Sequence, residues 1–381
     1  MASRPDRRRV LAGAAAALGV SGWRSPAFAG ETAGEADYRR AVIIDALGEI
    51  PDPAAPAGLE GPPSAALLSD LRTSGLTAVS VTLGLGASGD PLANVVRKIA
   101  AYDEKVAAAP DRLQRVIQAG DIARAKASGR LGLIYNVQDG SVLNGDLGRV
   151  SVLKALGLRV MQLTYNPRNI IGDGCLEPGN AGLSVFGSAV VEELGRQRLV
   201  MDLSHGGQRT TAEAIRLATR PPVISHSGCR ALVDFPRNTA DAELRALADK
   251  GGVAGIYLMP FLSPAGAVTP GDLFRHLEHA VNVCGEDHVG LGTDGAVSAA
   301  PITEDTWRRQ RAFYEARAAQ GVAAPGEGPD RLNLIAAYNE PARFLRIAGD
   351  LSRRGWPERR IEKILGANFL RVFDEVWGGS A

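Results

Sequence analysis

Two histidines and an aspartate stand where predicted strands end, and together they could bind a metal ion. His205 ends the segment Leu199-Val-Met-Asp-Leu-Ser-His205, His226 ends Pro222-Val-Ile-Ser-His226, and Asp294 ends Val289-Gly-Leu-Gly-Thr-Asp294. The chain has only five histidines, and barrel enzymes carry their chemistry at the carboxyl ends of their strands. Neutral imidazoles bind Zn²⁺ and leave a position open for water. The pattern is therefore typical of a metal-dependent site on an α/β barrel.

The elements that must position these residues alternate along the chain. Short apolar segments, rich in β-branched residues, are predicted as eight strands: 41–46, 77–83, 131–137, 160–164, 199–203, 222–225, 253–258 and 289–292. Amphipathic helices are predicted between them, for example over 64–74, 183–197, 240–250 and 272–283. This alternation favours parallel strands joined by crossover helices. An open doubly wound sheet is disfavoured, because no glycine-rich phosphate loop follows the first strand.

The predicted fold class is therefore α/β, a (β/α)₈ TIM-like barrel of the metal-dependent hydrolase type with extra C-terminal helices. Residues 36–379 are predicted to form this single domain, which ends in a helical tail from about Asn339 to Trp377. The segments 51–63 and 321–329 are rich in Pro, Gly and Ala. We expect each to form a loop over the barrel mouth.

The composition suits a globular enzyme that acts on a small molecule. Of the 381 residues, 45% are hydrophobic, and the formal net charge is +1. A large core is therefore expected, and a nucleic-acid partner is not. The aromatic fraction of only 5% also disfavours a base-stacking surface. The cysteines Cys175, Cys229 and Cys284 share no close spacing, so neither a disulfide framework nor a cysteine-rich zinc site is predicted.

Residues 1–29 are predicted to be an export signal and not part of the fold. Arg7-Arg8-Arg9 precedes an apolar run, and the small-residue pattern Ala27-Phe28-Ala29 follows it. Paired arginines before a mildly apolar segment are similar to a twin-arginine signal, so we expect an exported, periplasmic protein. The apolar run over residues 10–20 is shorter than the ~20 residues that span a bilayer. Stable membrane insertion is therefore not expected.

Several further motifs follow one another along nearly the whole chain after the signal. They are Leu163-Thr-Tyr-Asn166 with Gly172-Asp-Gly-Cys175, Asp202-Leu-Ser-His205, Pro222-Val-Ile-Ser-His226-Ser, Pro236-Arg-Asn238, Asp287-His-Val-Gly-Leu-Gly-Thr-Asp294 and Ile364-Leu-Gly-Ala-Asn368-Phe-Leu-Arg-Val. In this order they resemble the membrane (renal) dipeptidases, peptidase family M19, and the chain is similar to a divergent, exported bacterial member. The resemblance implies a (β/α)₈ barrel with two zinc ions bridged by a glutamate. It also implies hydrolysis of dipeptides, including some with a C-terminal D-residue.

The metal ligands of the family are only partly present. His205 and His226 fall on the two histidines that bind one zinc ion. The His-x-Asp that binds the other zinc falls on Leu47 and Glu49, and a leucine cannot bind a metal. The bridging glutamate falls on Gln138, whose amide oxygen is a weaker zinc ligand than a carboxylate. The resemblance therefore implies a reduced site with Gln138 and Glu49 as weak ligands.

The remaining functional positions of the family are occupied by polar side chains. Asp294 falls on the aspartate that orients the attacking water and moves its proton. Arg237, followed by Asn238, falls on the arginine beside the substrate, where a guanidinium can clamp a carboxylate. Tyr165 stands where well-studied members carry a histidine, and its phenol could donate a hydrogen bond to the scissile carbonyl. We expect Asp294 and Tyr165 to be catalytic and Arg237 and Asn238 to bind substrate.

A one-metal site remains chemically competent. We expect one Zn²⁺, bound by His205, His226 and one oxygen from Gln138, Asp139 or Asp294. Binding of a second ion is not excluded. One zinc with an open position lowers the pKa of bound water to ~7. The other histidines are expected to have no such role, since His276 and His279 are predicted at the surface of a helix and His288 as structural.

The predicted function is hydrolysis of the amide bond of dipeptides or similar small amides by metal-activated water. One alternative is a catalytically inactive periplasmic barrel that binds a peptide or another ligand, because three ligand identities of the family are missing. Another is a one-metal hydrolase of other small amides or esters. In each case the expected partner is a small molecule, and a homodimer is left open.

Overall fold

The computed structural model describes residues 38–55, 61–84 and 90–378, and these belong to one compact unit. The predicted signal over 1–29 and the predicted domain limits, 36 and 379, lie outside the described residues. Among the described residues, no helix is long and apolar enough to cross a membrane.

Parallel strands form a single sheet that carries the site. The described residues contain ten strands: β1 Ile44–Glu49, β2 Ala78–Thr82, β3 Leu113–Arg115, β4 Leu131–Val137, β5 Leu158–Gln162, β6 Val200–Asp202, β7 Val223–Ser227, β8 Val253–Ile256, β9 Val289–Leu291 and β10 Gly295–Ala296. Their order is β10-β1-β2-β4-β5-β6-β7-β8-β9, and β3 pairs with β4 outside this path. Because β9 pairs with β8 and β10 pairs with β1, the continuous segment from Val289 to Ala296 closes the sheet.

Each of the eight predicted strands overlaps an observed one, and the predicted α/β barrel is confirmed. The strands lie along continuous buried apolar runs, as in β4, where all seven residues are buried. Such runs are expected when helices cover a parallel sheet. The short strand β3 was not predicted, because Leu113–Arg115 contains one apolar residue and has no periodicity to detect.

Helices join the strands and follow the barrel. They are α1 Ala65–Ser74, α2 Pro91–Ala108, α3 Ala119–Ser128, α4 Arg149–Ala155, α5 Val185–Gln197, α6 Gln208–Leu217, α7 Asp241–Asp249, α8 Pro270–Cys284, α9 Glu304–Ala319, α10 Arg343–Arg353, α11 Glu358–Glu362 and α12 Asn368–Trp377. Local signals set their ends. The Ser64 hydroxyl accepts from the amide of Leu67 at the start of α1, and Gly75 ends that helix with a φ of +68°.

The last helix, α12, packs against one end of the barrel. Its apolar face, which includes Phe369 and Phe373, lies in one buried cluster with the first residues of several strands, such as Ile44 and Val200. The extra C-terminal helices predicted from the sequence are therefore confirmed, and they pack at the amino ends of the strands. The carboxyl ends remain available for polar side chains.

Asp45, a buried carboxylate on β1, holds the closing segment at those carboxyl ends. It accepts hydrogen bonds from the Leu47 amide at 3.3 Å, the Thr293 amide at 2.8 Å and the Thr293 hydroxyl at 2.6 Å. The Asp294 amide then donates to the Leu47 carbonyl at 2.8 Å. Burial raises the pKa of Asp45 to about 7 against the lowering effect of these donors. This bridge fixes the backbone that carries Asp294.

The Asp45 bridge can be tested by substitution. Asp45→Ala leaves buried donors of Leu47 and Thr293 without an acceptor, and we expect a loss of about 1–3 kcal/mol in the free energy of unfolding. Asp45→Asn should lose less, because its amide oxygen can still accept from both backbone amides. Urea unfolding measures both variants, with the exposed Asp305→Asn as control. Equal stability of Asp45→Ala and the wild type would contradict the role of the bridge.

Candidate active site

The structure brings His205 and His226 into direct contact. Their Nε2 atoms lie 3.0 Å apart, and both side chains are buried. His226 is on β7, and His205 follows β6, so both stand at carboxyl ends of adjacent strands. Burial lowers the pKa of each imidazole well below its ordinary value, and the charge of Arg237 lowers it further. Both rings are therefore neutral at pH 7.

The side chain of Asn166 determines which nitrogen of His205 carries the proton. The Nδ2 of Asn166 donates to the Val322 carbonyl at 2.7 Å, which orients the amide so that Oδ1 faces the Nδ1 of His205 at 2.5 Å. An amide oxygen only accepts, so the Nδ1 of His205 must donate. The Nε2 of His205 then has a lone pair and no proton.

A second chain of hydrogen bonds sets the tautomer of His226. The carboxylate of Asp202 accepts from the Ser225 hydroxyl at 2.5 Å, and it also accepts from the Ser225 amide and from the amide and hydroxyl of Ser204. These donors oppose burial, which raises the pKa of Asp202. Because the only hydroxyl hydrogen of Ser225 is donated to Asp202, the Ser225 oxygen must accept the hydrogen bond from the Nδ1 of His226, at 2.8 Å. The Nε2 of His226 therefore also has a lone pair.

Two unprotonated Nε2 atoms that face each other at 3.0 Å suit a shared cation. Metal-binding histidines commonly donate their other nitrogen to an oxygen that fixes the ring in this way. The two imidazoles are thus prepared to act as ligands of a shared metal ion. Among the described residues, no group of three or more His, Cys, Asp and Glu side chains is placed to bind a metal. Neither Asp139 nor Asp294 therefore completes such a group.

The buried His276 shows the ordinary alternative for a core histidine. Its Nδ1 accepts from the Cys229 amide at 2.8 Å, and its Nε2 donates to the Leu262 carbonyl at 3.1 Å. The prediction that His276 lies at the surface is wrong, because its face of α8 packs into the core. His279 is partly exposed and contacts Asp241 at 2.7 Å. His288 donates to the Gly252 carbonyl, as a structural residue would.

Backbone strain marks two of the predicted site residues. His205 has a φ of +62° and Asp294 a φ of +55°, a region that residues other than glycine seldom occupy. At His205 the turn is held by the Cys175 amide, which donates to the His205 carbonyl at 2.7 Å. Strained conformations of this kind cluster at functional sites, where the surrounding structure enforces them.

Asp294 lies in the same electrostatic neighbourhood as the arginines and Tyr165. Burial raises its pKa to about 7, although the nearby charges of Arg237 and Arg317 act to lower it. The charge of Asp294 in turn contributes to the raised pKa of Tyr165. A carboxyl group with a pKa near neutrality is suited to accept and return a proton.

Tyr165 stacks on His205 and is held by a residue from the covering segment. The two rings lie 4.2 Å apart between centroids with an angle of 25°. The Arg317 guanidinium, on α9, donates to the Tyr165 hydroxyl at 3.1 Å. The predicted loop over 321–329 follows α9, and its Val322 contacts Asn166. The end of α9 and this loop therefore lie against the site.

Arg237 is buried beside the histidines without a carboxylate partner in the part of the chain that the structure describes. Its Nη2 donates to the His226 carbonyl at 3.3 Å, and its guanidinium lies 5.6 Å from the Tyr257 ring centroid. Buried charges in proteins are normally paired. An unpaired, buried guanidinium beside the site therefore suits an anionic group of a ligand.

The side chain of Asn238, the neighbour of Arg237, makes all of its hydrogen bonds in the described structure with other residues of the protein. Its Nδ2 donates to the carbonyls of Val233 and Phe261, and its Oδ1 accepts from the Tyr257 hydroxyl at 2.5 Å. The structure therefore shows Asn238 holding the loop that carries Arg237. A direct contact between Asn238 and substrate stays a prediction.

The positions that would hold a second metal offer few ligand atoms. Leu47 is buried, with 2% of its surface exposed, and has no ligand atom in its side chain. The Nε2 of Gln138 donates to the Thr82 hydroxyl at 2.6 Å, which leaves only its neutral Oε1 as a ligand. Glu49 is exposed at the end of β1, and its charge raises the pKa of Asp294. The Asp139 carboxylate accepts from Ser141 and Asn169 and caps a 3₁₀ helix.

The comparison with protein families identifies a family of metallopeptidases, in agreement with a site that can bind a metal ion. The profile of the membrane dipeptidases, peptidase family M19, matches residues 69–308. The chain belongs to this family. It is 26% identical to dipeptidase verJ of Clonostachys rogersoniana over 70% of this chain and 61% of that protein. It is also 26% identical to an uncharacterized protein from the pqqA 5′ region of Klebsiella pneumoniae, over 76% of this chain and 98% of that protein.

Solved structures share the fold. An amidohydrolase from Pseudomonas aeruginosa superposes with a TM-score of 0.77 at 29% identity, over 90% of this chain and 99% of that one. A metallo peptidase from Rhodobacter sphaeroides, liganded with a phosphinate mimic of the dipeptide L-Ala-D-Ala, superposes with a TM-score of 0.70 at 17% identity, over 88% and 99% of the two chains. The M19 family membership makes the chain a hydrolase of the metallodipeptidase type and implies a metal cofactor.

Sequence reasoning missed three contributors to this site. Asn166 and Ser225 act on the histidines through hydrogen bonds, and both lie inside motifs that resemble the family. Their position next to predicted functional residues was the available signal. Arg317 gave no such signal, because α9 is a strongly polar helix in which it is one of several arginines.

The proposed tautomers are directly measurable. In the metal-free protein at neutral pH, we expect both His205 and His226 to be neutral with the proton on Nδ1, because Asn166 and Ser225 can only accept there. Long-range ¹H–¹⁵N NMR of the imidazoles reports the protonated nitrogen, and His205→Ala and His226→Ala assign the signals. An Nε2 proton on either ring would contradict the hydrogen-bond network.

Proposed function

We propose that this chain hydrolyses the amide bond of dipeptides or similar small amides that carry a free C-terminal carboxylate, with one Zn²⁺ held by His205 and His226. The observation that carries the proposal is the 3.0 Å approach of the Nε2 atoms of His205 and His226, to which the hydrogen bonds at Nδ1 assign lone pairs. Membership of the M19 family supports the reaction class. Bound zinc would supply a polarising charge and a water of lowered pKa at that position.

One ion is proposed instead of two because the two retained histidines, His205 and His226, fall on the ligands of only one of the two zinc ions of the family. Leu47 removes an imidazole from the second position, and Gln138 removes the bridging charge. Two zinc ions carry four positive charges, which neutral ligands offset poorly. A single ion held by His205 and His226 would have positions left for water and substrate.

Asp294 is proposed as the general base. Its carboxyl group has a pKa of about 7 because of burial, so it can take a proton from the attacking water and give it to the leaving amine. The Asp45 bridge and the hydrogen bond to the Leu47 carbonyl fix the backbone on which it lies. A fixed base avoids the entropic cost of orienting the carboxylate during the reaction.

Arg237 and Tyr165 are proposed to hold the two ends of the substrate. The buried Arg237 guanidinium would pair with the C-terminal carboxylate, for which it has free N–H donors. The Tyr165 hydroxyl would donate to the scissile carbonyl, which becomes negatively charged as the bond to water forms. Both residues contact the histidine pair, Arg237 through the His226 carbonyl and Tyr165 through the ring of His205.

We also propose that the protein is exported to the periplasm. The support is the sequence of residues 1–29, with paired arginines and the Ala27-Phe28-Ala29 pattern. Mass spectrometry of protein from a periplasmic fraction, with the first residue of the mature chain near Gly30, tests this. A homodimer stays a prediction.

The general-base role predicts a large effect on hydrolysis. With zinc-loaded protein and a panel of dipeptides, we expect turnover by the wild type. In Asp294→Asn, which keeps the shape but cannot accept a proton from water, kcat should fall by about 10²–10⁴-fold. His279→Ala, a histidine outside the site, is the matched control. Unchanged hydrolysis by Asp294→Asn would refute the assigned mechanism, and the absence of hydrolysis by the wild type would refute the function.

The role of Arg237 predicts a selective loss. Arg237→Met should lower kcat/KM for a dipeptide by about 10- to 100-fold, which corresponds to the ~1.5–3 kcal/mol of a charge-assisted hydrogen bond. For the same dipeptide with a C-terminal carboxamide, the variant and the wild type should be similar. Parallel assays of the two substrates measure this difference. Equal losses on both would show that Arg237 does not bind the carboxylate.

A further inference from the structure

A second, largely buried arginine reaches the site from beyond the matched part of the chain. Arg317 is near the end of α9, whereas the family profile ends at residue 308. Its Nη1 donates to the Tyr165 hydroxyl at 3.1 Å, and its Nη2 donates to the Val322 carbonyl at 3.1 Å. It also makes a two-point ion pair with Glu327, with both N–O distances at 2.7 Å.

The contact fixes the direction of the Tyr165 hydroxyl. A guanidinium has donors and no acceptor, so the phenol oxygen must accept from Arg317. The hydroxyl proton is then free to donate elsewhere, and within the described residues it has no second hydrogen-bond partner. The ring stacks on His205 with 4.2 Å between centroids, which keeps the hydroxyl beside the imidazole pair.

We propose that Arg317 is a positioning residue that directs the Tyr165 hydroxyl as a hydrogen-bond donor to the substrate carbonyl. This inference rests on the proposed hydrolysis. A phenol hydroxyl can rotate and can either donate or accept, so an undirected one would have to be oriented during the reaction. A donor oriented beforehand stabilises the developing negative charge without that cost.

The surroundings of Arg317 favour this role over direct binding of the substrate carboxylate. The side chains of Arg317 and Glu327 are only 13% and 5% exposed. Glu327 also accepts from the Ala324 amide at 2.9 Å, so the pair is anchored in the loop after α9. A buried ion pair requires good geometry to offset its desolvation, and this holds Arg317 in place. Arg237, by contrast, has no carboxylate partner among the described residues.

A double-mutant cycle tests whether Arg317 acts through Tyr165. Tyr165→Phe should lower kcat by about 10²-fold with little change in KM, as expected for loss of one oxyanion donor. Arg317→Met should lower kcat to a similar extent, and the double variant should be no slower than Tyr165→Phe alone. Arg317→Lys, which keeps a donor, should restore part of the rate. Arg311→Met is the control, since Arg311 is on the same helix in an exposed pair with Asp330.

Two kinetic outcomes would overturn the proposal. Multiplied effects in the double variant would mean that Arg317 acts independently of Tyr165. A raised KM with unchanged kcat would mean that Arg317 binds the substrate itself. If Arg317→Met fails to fold because Glu327 is left unpaired, Arg317→Met combined with Glu327→Gln removes both charges and takes its place in the cycle.

A spectroscopic measurement separates this proposal from the proposed function. In protein with ¹³Cζ-labelled tyrosine and no substrate, the Tyr165 resonance, assigned with Tyr165→Phe, should shift in Arg317→Met and remain in place in Arg311→Met. An unchanged resonance in Arg317→Met would overturn the proposal. If the wild type hydrolyses no dipeptide, the function fails, yet this resonance still decides whether Arg317 directs the hydroxyl.

Discussion

The close approach of two unprotonated imidazole nitrogens is the constraint on which the site depends. Their lone pairs face each other at 3.0 Å and repel unless a positive charge lies between them. Each ring could relieve this by moving its proton to Nε2, but Asn166 and Ser225 offer only acceptors to Nδ1. The hydrogen bonds around the histidines thus favour a bound cation. Burial, which lowers the pKa of both rings, prevents a proton from supplying that charge.

The barrel provides the rigidity that this arrangement requires. Adjacent parallel strands bring the two histidines together at their carboxyl ends, while α12 covers the opposite ends with an apolar cluster. Asp45 ties the closing segment to β1 and so fixes Asp294. The positive φ angles of His205 and Asp294 cost stability, and the packed barrel offsets that cost. The candidate site and the strained residues therefore coincide at the end of the barrel that α12 leaves open.

The sequence was sufficient to predict the barrel and the candidate ligands at the strand ends, but not the roles of Asn166 and Ser225, which lie inside the same motifs. Buried parallel strands are continuous apolar runs, so their positions could be predicted to within a few residues, and His205 and His226 followed from the strand ends. Arg317 could not be predicted, because its contact with Tyr165 joins residues 152 positions apart and no local pattern records such a pairing. His276 was misplaced at the surface for a related reason. Its burial depends on the Cys229 amide and the Leu262 carbonyl, which lie on other elements.

The central claim is that one metal ion, held by two imidazoles, is sufficient for hydrolysis. The most direct measurement is a titration of metal-free protein with Zn²⁺ in which bound zinc and dipeptide hydrolysis are followed together. Both should saturate at one equivalent per chain, and His205→Ala with His226→Ala should abolish both. Activity that appears only with the second equivalent would contradict the one-metal site. Binding of one zinc ion per chain without any hydrolysis would contradict the assignment of catalysis to a metal ion held by His205 and His226.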